Sequence, residues 1–165
     1  NPYIDSSSSL LEVGCGEATT LSGVVQHLTN FPSKVLGFDI SWSRCFYGLN
    51  WLKQNALKAD LFVADLFEIP LADSSVDIIY TSHSLEPNGG REEAALKELL
   101  RVARRAVILF EPIYELGNVE AQLRMDTHKY VKQLKNVAEN LGGIVNKSAT
   151  NKSALSAFCF NQLSP

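Results

Sequence analysis

Small clusters of glycine, carboxylate and histidine residues recur along this sequence where they could meet in one pocket. Glu12 precedes a Gly14-Cys15-Gly16 turn, Asp39 and Asp65 each follow an apolar run, and "SHSLEPNGG" occupies residues 82–90. Glycine leaves the backbone free to approach a ligand closely, and carboxylates accept hydrogen bonds from hydroxyl and amino groups. These residue types predict a binding pocket for a polar ligand.

The glycine turn is not a good phosphate-binding motif of either common kind. A dinucleotide fingerprint, GxGxxG, needs glycine at position 19, where the chain has Thr19. A P-loop needs a Gly-Lys-Ser/Thr sequence at the end of the turn, and this turn has no such lysine. Both phosphate-binding interpretations are therefore weakened.

The three carboxylates fit a nucleoside that carries positive charge and no phosphate. Glu12 lies beneath the turn, where it could orient the loop or meet an amino group of a ligand. Asp39 could accept hydrogen bonds from both hydroxyls of a ribose, and Asp65 with the N–H of Leu66 could recognise an adenine edge. A cationic nucleoside suits this pocket better than a pyrophosphate does.

The segment after the fourth apolar run holds the candidate catalytic residues. His83 is the natural candidate for a general base because histidine exchanges protons near neutral pH. Glu86 and Glu111 are further candidates, the latter closing the fifth apolar run, and Tyr114 could line the pocket. The alternatives are structural: His83 could shape the loop through backbone hydrogen bonds, and Glu86 could belong to a turn and helix cap. Cys15 has no base paired with it in sequence, so we expect a small apolar filler and not a nucleophile.

Short apolar runs alternate with helical patterns, which predicts βαβ units. We expect a Rossmann-like α/β fold: an open, mostly parallel sheet with helices on both faces, and an antiparallel hairpin at its C-terminal end. The predicted strands are residues 9–13, 34–39, 60–64, 76–81, 106–110, 144–149 and 155–160. The predicted helices are residues 19–28, 42–57 and 91–104, with helix-compatible sequence continuing to about residue 141.

The sequence contains four motifs in the order "EVGCGEA", "VLGFDIS", "FVADLFEIPLADSSVDIIYTSHSLE" and "ALKELLRVARRAVILFEP". Together they resemble class I S-adenosylmethionine-dependent methyltransferases. The resemblance is nearest to the small-molecule, methyltransferase type 11-like branch of that family. In that resemblance the glycine turn would lie against the methionine part of the cofactor, Asp39 would hold the ribose, and Ile40, Asp65 and Leu66 would meet the adenine. Ser82 and His83 would border the methionine and the transferred methyl. The residues assigned to S-adenosylmethionine are thus Glu12, Gly14, Cys15, Gly16, Asp39, Ile40, Asp65, Leu66, Ser82 and His83.

One departure from the family pattern is Ala18, which stands where the fuller pattern has a third glycine. An alanine fits there if its φ angle is negative, and that is what we expect. The resemblance covers nearly the whole chain, so residues 1–165 are interpreted as a single methyltransferase domain. Family members usually carry N-terminal helices that cover the substrate, and we expect this chain to lack them.

Composition narrows the partners. The net charge of -3 does not favour nucleic acid or anionic membrane surfaces, and no apolar run is long enough to span a bilayer. Three scattered cysteines without a CxxC pair argue against a metal site and suit a reducing, cytoplasmic compartment. Methyltransferases that act on the amino nitrogens of nucleic-acid bases use an "NPPY"-like segment after the fourth strand to hold a planar amine, and this sequence has none there. The expected methyl acceptor is therefore a small molecule or a sugar- or lipid-linked intermediate.

Two other functions stay open at the level of sequence. The chain could be a non-catalytic binding or scaffold protein that keeps the fold and the cofactor pocket. A nicotinamide-dependent oxidoreductase needs the same fold but is disfavoured by Thr19 in the fingerprint. A homodimer is among the expected assemblies.

Overall fold

The computed structural model describes residues 4–146 and 155–161, with side chains described for residues 4–144. The strands are β1 (Ser9–Val13), β2 (Lys34–Asp39), β3 (Asp60–Val63), β4 (Val76–Ser82), β5 (Ala103–Pro112), β6 (Ile144–Asn146) and β7 (Leu155–Asn161). The helices are α1 (Thr19–Gln26), α2 (Trp42–Gln54), α3 (Glu92–Val102), α4 (Val119–Thr127) and α5 (Leu134–Asn140), with a 3-10 turn at Tyr114–Leu116.

All seven strands belong to one sheet with the order β3-β2-β1-β4-β5-β7-β6. The first five strands in that order run parallel, while β7 pairs antiparallel with both β5 and β6. The connection between β6 and β7, together with the predicted end of the sixth strand at residues 147–149, lies outside the described residues. The predicted Rossmann-like α/β fold is confirmed, and its strand order reverses between β1 and β4.

The core forms on both faces of the sheet because successive side chains of a strand point to opposite faces. Leu11 and Val13 of β1 pack in one buried cluster with residues of α3 and α5. Leu10 packs on the other face in a second cluster, with residues of α1 and α2. β1 is buried along its whole length, as expected for a central parallel strand. The two helical layers hold the carboxyl ends of the strands at one edge.

Several predicted boundaries were wrong at their ends. The third helix stops at Val102 and not at residue 104, and β5 starts at Ala103 and not at residue 106. Ala103 adopts an extended conformation and pairs with Val76, so strand pairing overrides the helical propensity of the Ala-Arg-Arg sequence. The helices predicted to end at residues 28 and 57 end at Gln26 and Gln54. The position of Trp51 far along the second helix predicts a core residue, and this prediction is wrong, since its side chain is 41% exposed.

None of the helices in the described part of the chain has the length and hydropathy needed to cross a bilayer. The described side chains also include no group of three His, Cys, Asp or Glu residues that could hold a metal ion.

Candidate cofactor and acceptor site

The glycine turn leaves β1 in left-handed backbone conformations. Gly14 and Gly16 have φ angles of 67° and 53°, which glycine adopts without steric cost. Ala18 has a φ of 58°, so the expectation of a negative angle at this position was wrong. Its N–H donates to the Cys15 carbonyl at 2.8 Å, which closes the turn just before α1. Ala18 therefore takes the strained conformation in which the family pattern has glycine.

Asp39 ties the glycine turn to the end of β2. Its Oδ2 accepts a hydrogen bond from the Gly16 N–H at 3.0 Å, and its Oδ1 accepts one from the Ser41 N–H at 2.9 Å. The Arg44 guanidinium lies 4.0 Å from Oδ2 and is mostly exposed. Ser41 in turn caps α2 by accepting from the Arg44 N–H. The carboxylate is thus held at the carboxyl end of β2, against the glycine turn.

Cys15 is the filler between the glycine turn and β2. Its side chain is buried, and a Cβ added at Gly37 would lie 3.1 Å from its Sγ. Burial raises the pKa of the Cys15 thiol well above its ordinary value, and the neighbouring Cys45, Glu12 and Asp39 raise it further. A thiol held neutral in this way is a poor nucleophile, in keeping with the apolar role.

Asp65 opens a tight turn after β3. Its Oδ1 accepts from the Phe67 N–H at 2.9 Å, and its carbonyl accepts from the Glu68 N–H at 3.1 Å. The Asp65 side chain is exposed, whereas Leu66 is half-buried and packs against the core. An open groove of about 610 Å³ runs beside this turn. Its lining comprises Val63, Ala64, Asp65, Glu68, Ile69, Pro70, Leu71 and Arg101.

Arg101 holds the segment that follows this turn, a role that sequence reasoning missed. Its guanidinium donates to the carbonyls of Ile69 and Leu71, each at 2.9 Å. It also pairs with Asp73 at 2.6 Å and with Glu98 at 2.7 Å. In the sequence Arg101 is only one of three arginines at a basic helix end, with Arg104 and Arg105, and nothing in its local spacing indicates partners 30 residues away.

Glu12 is buried beneath the glycine turn without a partner for its Oε2 atom. Burial raises the pKa of Glu12 from its ordinary 4.5 to about 8, and the nearby Tyr80 hydroxyl offsets this only in part. The Tyr80 hydroxyl is itself buried and makes no hydrogen bond of ordinary geometry. Buried polar atoms are nearly always paired, so this carboxyl is in a position to receive a cationic or hydrogen-bonding group.

The segment after β4 presents His83 and Glu86 together. The His83 Nδ1 lies 2.5 Å from the Glu86 Oε1, with the imidazole 56% exposed and the carboxylate largely buried. The backbone of His83 is left-handed, with a φ of 54°, and its N–H donates to the Phe110 carbonyl of β5. The next residue, Ser84, packs so closely on the glycine turn that a Cβ at Gly14 would overlap its Cβ. The two loops therefore meet.

Glu111 anchors this segment from below. Its Oε1 accepts from the Ser84 N–H at 3.0 Å, while its Oε2 is buried and unpaired. Burial raises the pKa of Glu111 from 4.5 to about 7, against the lowering effect of the Thr81 side chain and the Ser84 and Leu85 backbone. The side chain is fully buried, so in this conformation it can support the loop but does not face solvent.

The predicted site residues form two neighbouring groups, one at the glycine turn with Asp39 and the other at the His83–Glu86 pair. The glycine turn and Asp39 are hydrogen-bonded, and Ser84 links them to the His83–Glu86 pair. Asp65 and Ile40 are exposed at the ends of the neighbouring strands. Sequence reasoning missed Ser84 and Tyr80, although strand alternation places Tyr80 on the same face of the sheet as Glu12. The roles of all these residues toward a ligand remain predictions.

Comparison with known proteins gives the family. The model of the methyltransferase domain family matches residues 10–106, while no curated protein sequence matches the chain. A SAM dependent methyltransferase from Aquifex aeolicus is 18% identical with a TM-score of 0.72, over 94% of this chain and 82% of that one. One from Methanosarcina mazei is 16% identical with a TM-score of 0.69, over 96% and 92%.

A third similar structure is the [4+2]-cyclase SpnF, with 19% identity and a TM-score of 0.70. It is matched over 87% of this chain but only 54% of its own length, so the chain spans about half of SpnF. At these identities the solved structures establish the fold. The family model covers more than half of the sequence, and the chain therefore belongs to the methyltransferase domain family, whose methyl donor is S-adenosylmethionine.

Proposed function

We propose that this chain binds S-adenosylmethionine across the carboxyl ends of β1, β2 and β3 and transfers its methyl group to a small molecule. The observation that carries the proposal is the buried Glu12 carboxyl, whose Oε2 atom has no hydrogen-bond partner, beneath a glycine turn that Asp39 holds in place. Ligands of open α/β sheets bind where the strand order reverses, and this turn is at that point. A cationic ligand would place beside the Glu12 carboxyl the positive counter-charge that it lacks.

When bound, the cofactor would supply a sulfonium-bound methyl group for transfer to a nucleophile, with the thioether S-adenosylhomocysteine as the leaving group. The chain's own part is to hold and orient. The proposed holders are the glycine turn, Asp39 for the ribose hydroxyls, Asp65 with Leu66 and Ile40 for the adenine, and Ser82 for the methionine end. Asp39 is already fixed by Gly16 and Ser41, so its carboxylate needs little reorganisation to accept further hydrogen bonds.

His83 is the proposed base for the methyl acceptor. The Glu86 carboxylate beside Nδ1 would keep a proton on that nitrogen, which leaves Nε2 to take a proton from the acceptor. Ser84 N–H and Phe110 carbonyl contacts hold the loop that carries the pair. Glu86 is thus proposed to orient and balance the charge of the imidazole during proton transfer.

A small molecule, or a sugar- or lipid-linked intermediate, is favoured as the acceptor by the charge distribution. The three arginines near the start of β5 are each near a carboxylate: Arg101 pairs with Glu98, Arg104 with Asp77 and Arg105 with Asp5. Neutralised arginines leave little basic surface for a phosphate backbone. The buried free thiols of Cys15 and Cys45 suit a cytoplasmic location.

Calorimetric titration with S-adenosylhomocysteine tests the cofactor site, with NAD as the control ligand. We expect binding of the first ligand only, and a loss of roughly a hundredfold or more in Asp39→Ala, because ribose hydroxyls would then lose a charged acceptor. Asp60→Ala is the matched control, since Asp60 is an exposed carboxylate at the opposite end of β3. Thermal melts of both variants separate lost binding from lost folding.

Absence of binding by the folded chain would overturn this proposal. The chain would then be a non-catalytic member of its fold, acting as a binding or scaffold protein. The fold alone does not fix the reaction, since a similar fold also occurs in a protein described as a [4+2]-cyclase. Equal affinity of Asp39→Ala and the unmodified chain would instead place the ligand elsewhere.

A further inference from the structure

Helix α2 exposes more large apolar side chains than a helix on the surface of a monomer usually does. Its buried face consists of Cys45, Gly48 and Leu52. Five large side chains of the same helix are between 41% and 67% exposed, and they are Trp42, Phe46, Tyr47, Leu49 and Trp51. Both tryptophans of the chain are among them. Exposed apolar surface that is contiguous usually marks an interaction site.

These side chains lie on two flanks of the helix, which meet where the Phe46 ring contacts the Tyr47 ring with centroids 5.8 Å apart. Trp42, Phe46 and Leu49 share one flank at helical spacing, and the Trp42 and Phe46 rings stack with centroids 5.4 Å apart. Tyr47 and Trp51 lie on the other flank, in a groove that they line with Glu17 and Thr19 at the start of α1. The first flank therefore faces away from α1, toward β3.

The first flank continues onto the open edge of the sheet. In the described part of the chain, β3 pairs only with β2, so its outer backbone groups have no strand partner. Cys45 contacts the Phe62 carbonyl of β3 at 3.3 Å, which places this side of α2 over the strand. Val63 is 47% exposed and lies on the α2 face of β3, because Leu61 on that face packs at Gly48.

We propose that a second copy of this chain covers the surface formed by the β3 edge, Val63, Trp42, Phe46 and Leu49. This inference is independent of the proposed function. A two-fold axis normal to the sheet would pair β3 with its copy in antiparallel fashion and set the two α2 helices side by side, also antiparallel. Such an isologous arrangement is the commonest way in which a protein surface meets itself.

The chemistry of α2 fits its own copy. In antiparallel register Phe46 meets Leu49 of the copy, and Trp42 meets Lys53, which is exposed and can stack on an aromatic ring. The helix carries no acidic residue, so no buried carboxylate would be left without a partner. The four apolar side chains expose roughly 400 Å² together, close to the apolar share of the ~800 Å² per partner that a standard interface buries.

Sedimentation velocity from low to high micromolar concentration tests the proposal on the full chain. We expect a species with twice the chain mass at high concentration, and a dissociation constant raised about tenfold or more in Phe46→Glu. Trp51→Glu is the matched control, since it places the same charge on an exposed aromatic of the other flank, one full helical turn beyond Tyr47, which contacts Phe46. Thermal melts should show both variants folded.

The two tryptophans provide a second readout. In Trp51→Phe only Trp42 remains, and its emission should shift to the blue as the dimer forms; in Trp42→Phe the remaining Trp51 should not shift. A monomer at all concentrations would overturn the proposal, as would a dimer that Trp51→Glu disrupts and Phe46→Glu does not. If Trp42 shifts only when phosphatidylglycerol vesicles are added to a monomer, the face binds lipid and the proposal is wrong.

Discussion

Asp39 holds together two chain segments that are far apart in sequence. It bonds the Gly16 N–H of one loop and the Ser41 N–H of another, so a single carboxylate orders the β1 and β2 ends before a ligand arrives. Preorganised groups bind with a smaller entropic penalty. At the scale of single residues, Asp39 and Asp65 already have backbone partners, whereas the Oε2 atoms of Glu12 and Glu111 have none.

Arg101 performs the equivalent task beyond Asp65, and its substitution gives a residue-scale prediction. Arg101→Lys should lower the free energy of unfolding by about 1–2 kcal/mol, because an ammonium cannot reproduce the fork that reaches Ile69, Leu71 and Asp73 at once. Urea unfolding measures the effect. Arg124→Lys, at an exposed position on α4, is the control; an equal loss in both variants would contradict the assigned role.

The residues that sequence reasoning located share a simple property. Glu12, Asp39 and Asp65 follow or end apolar runs, and strand ends converge on one edge of a parallel sheet. Arg101 and Ser84 could not be located in this way, since their contacts depend on how distant loops pack. The backbone angle of Ala18 was also beyond local inference, because closure of the turn onto Cys15 imposes it.

Whole elements were predictable where periodicity was strong. β1 and β2 have the predicted bounds, and α3 has its predicted apolar spacing but ends two residues early. The error at Ala103 arose because pairing with Val76 is a long-range interaction. Short-range propensity favours helix for this sequence, and the pairing of β5 with β4 overrides that propensity. Element ends are thus decided by neighbours that a local pattern does not contain.

The contact between the glycine turn and the loop after β4 gives an element-scale prediction. Gly14→Ala should lower the free energy of unfolding by ~2–4 kcal/mol, because the new methyl needs a left-handed backbone and overlaps the Ser84 Cβ. Ser84→Gly in the same chain should recover at least ~1 kcal/mol of that loss, since it removes the overlapping atom. Urea unfolding of the four chains in this double-mutant cycle measures the coupling.

Gly16→Ala separates the two causes. Gly16 is also left-handed, but a Cβ there would have only the Arg44 guanidinium as a neighbour, at 3.7 Å. Its cost should be about 1 kcal/mol, from backbone strain alone. If Gly14→Ala costs no more than Gly16→Ala, or if Ser84→Gly gives no recovery, the two loops are not in the close contact described.

At the scale of the whole molecule, the sheet topology gathers buried carboxyls at one edge. Glu12 lies near the carboxyl end of β1 and Glu111 lies near the carboxyl end of β5, and these two strands flank β4. Their neighbours are apolar core on both faces. Folding therefore moves two carboxyl groups out of water without giving either a cationic partner, which penalises their charged forms.

This arrangement predicts that the chain loses stability as the pH rises. The folded pKa values, about 8 for Glu12 and about 7 for Glu111, both exceed the ordinary 4.5 of the unfolded chain. Above pH 4.5 the folded state consequently binds more protons than the unfolded state, and the free energy of unfolding falls with pH until each folded pKa is passed. We expect a decrease of a few kcal/mol between pH 5 and pH 8.

Urea unfolding at several pH values can assign the decrease to each carboxyl. Between pH 7 and pH 8 Glu111 passes from about half to mostly ionised, so the larger part of the remaining slope belongs to Glu12. Glu12→Gln should flatten that interval and be more stable than the unmodified chain at pH 8, whereas Glu111→Gln should flatten the curve mainly below pH 7. Glu93→Gln, an exposed carboxylate on α3, should leave both intervals unchanged. Curves that run parallel for all four chains would mean that neither carboxyl is held neutral by burial, and the case for Glu12 as an electrostatic partner for a cationic cofactor would be lost.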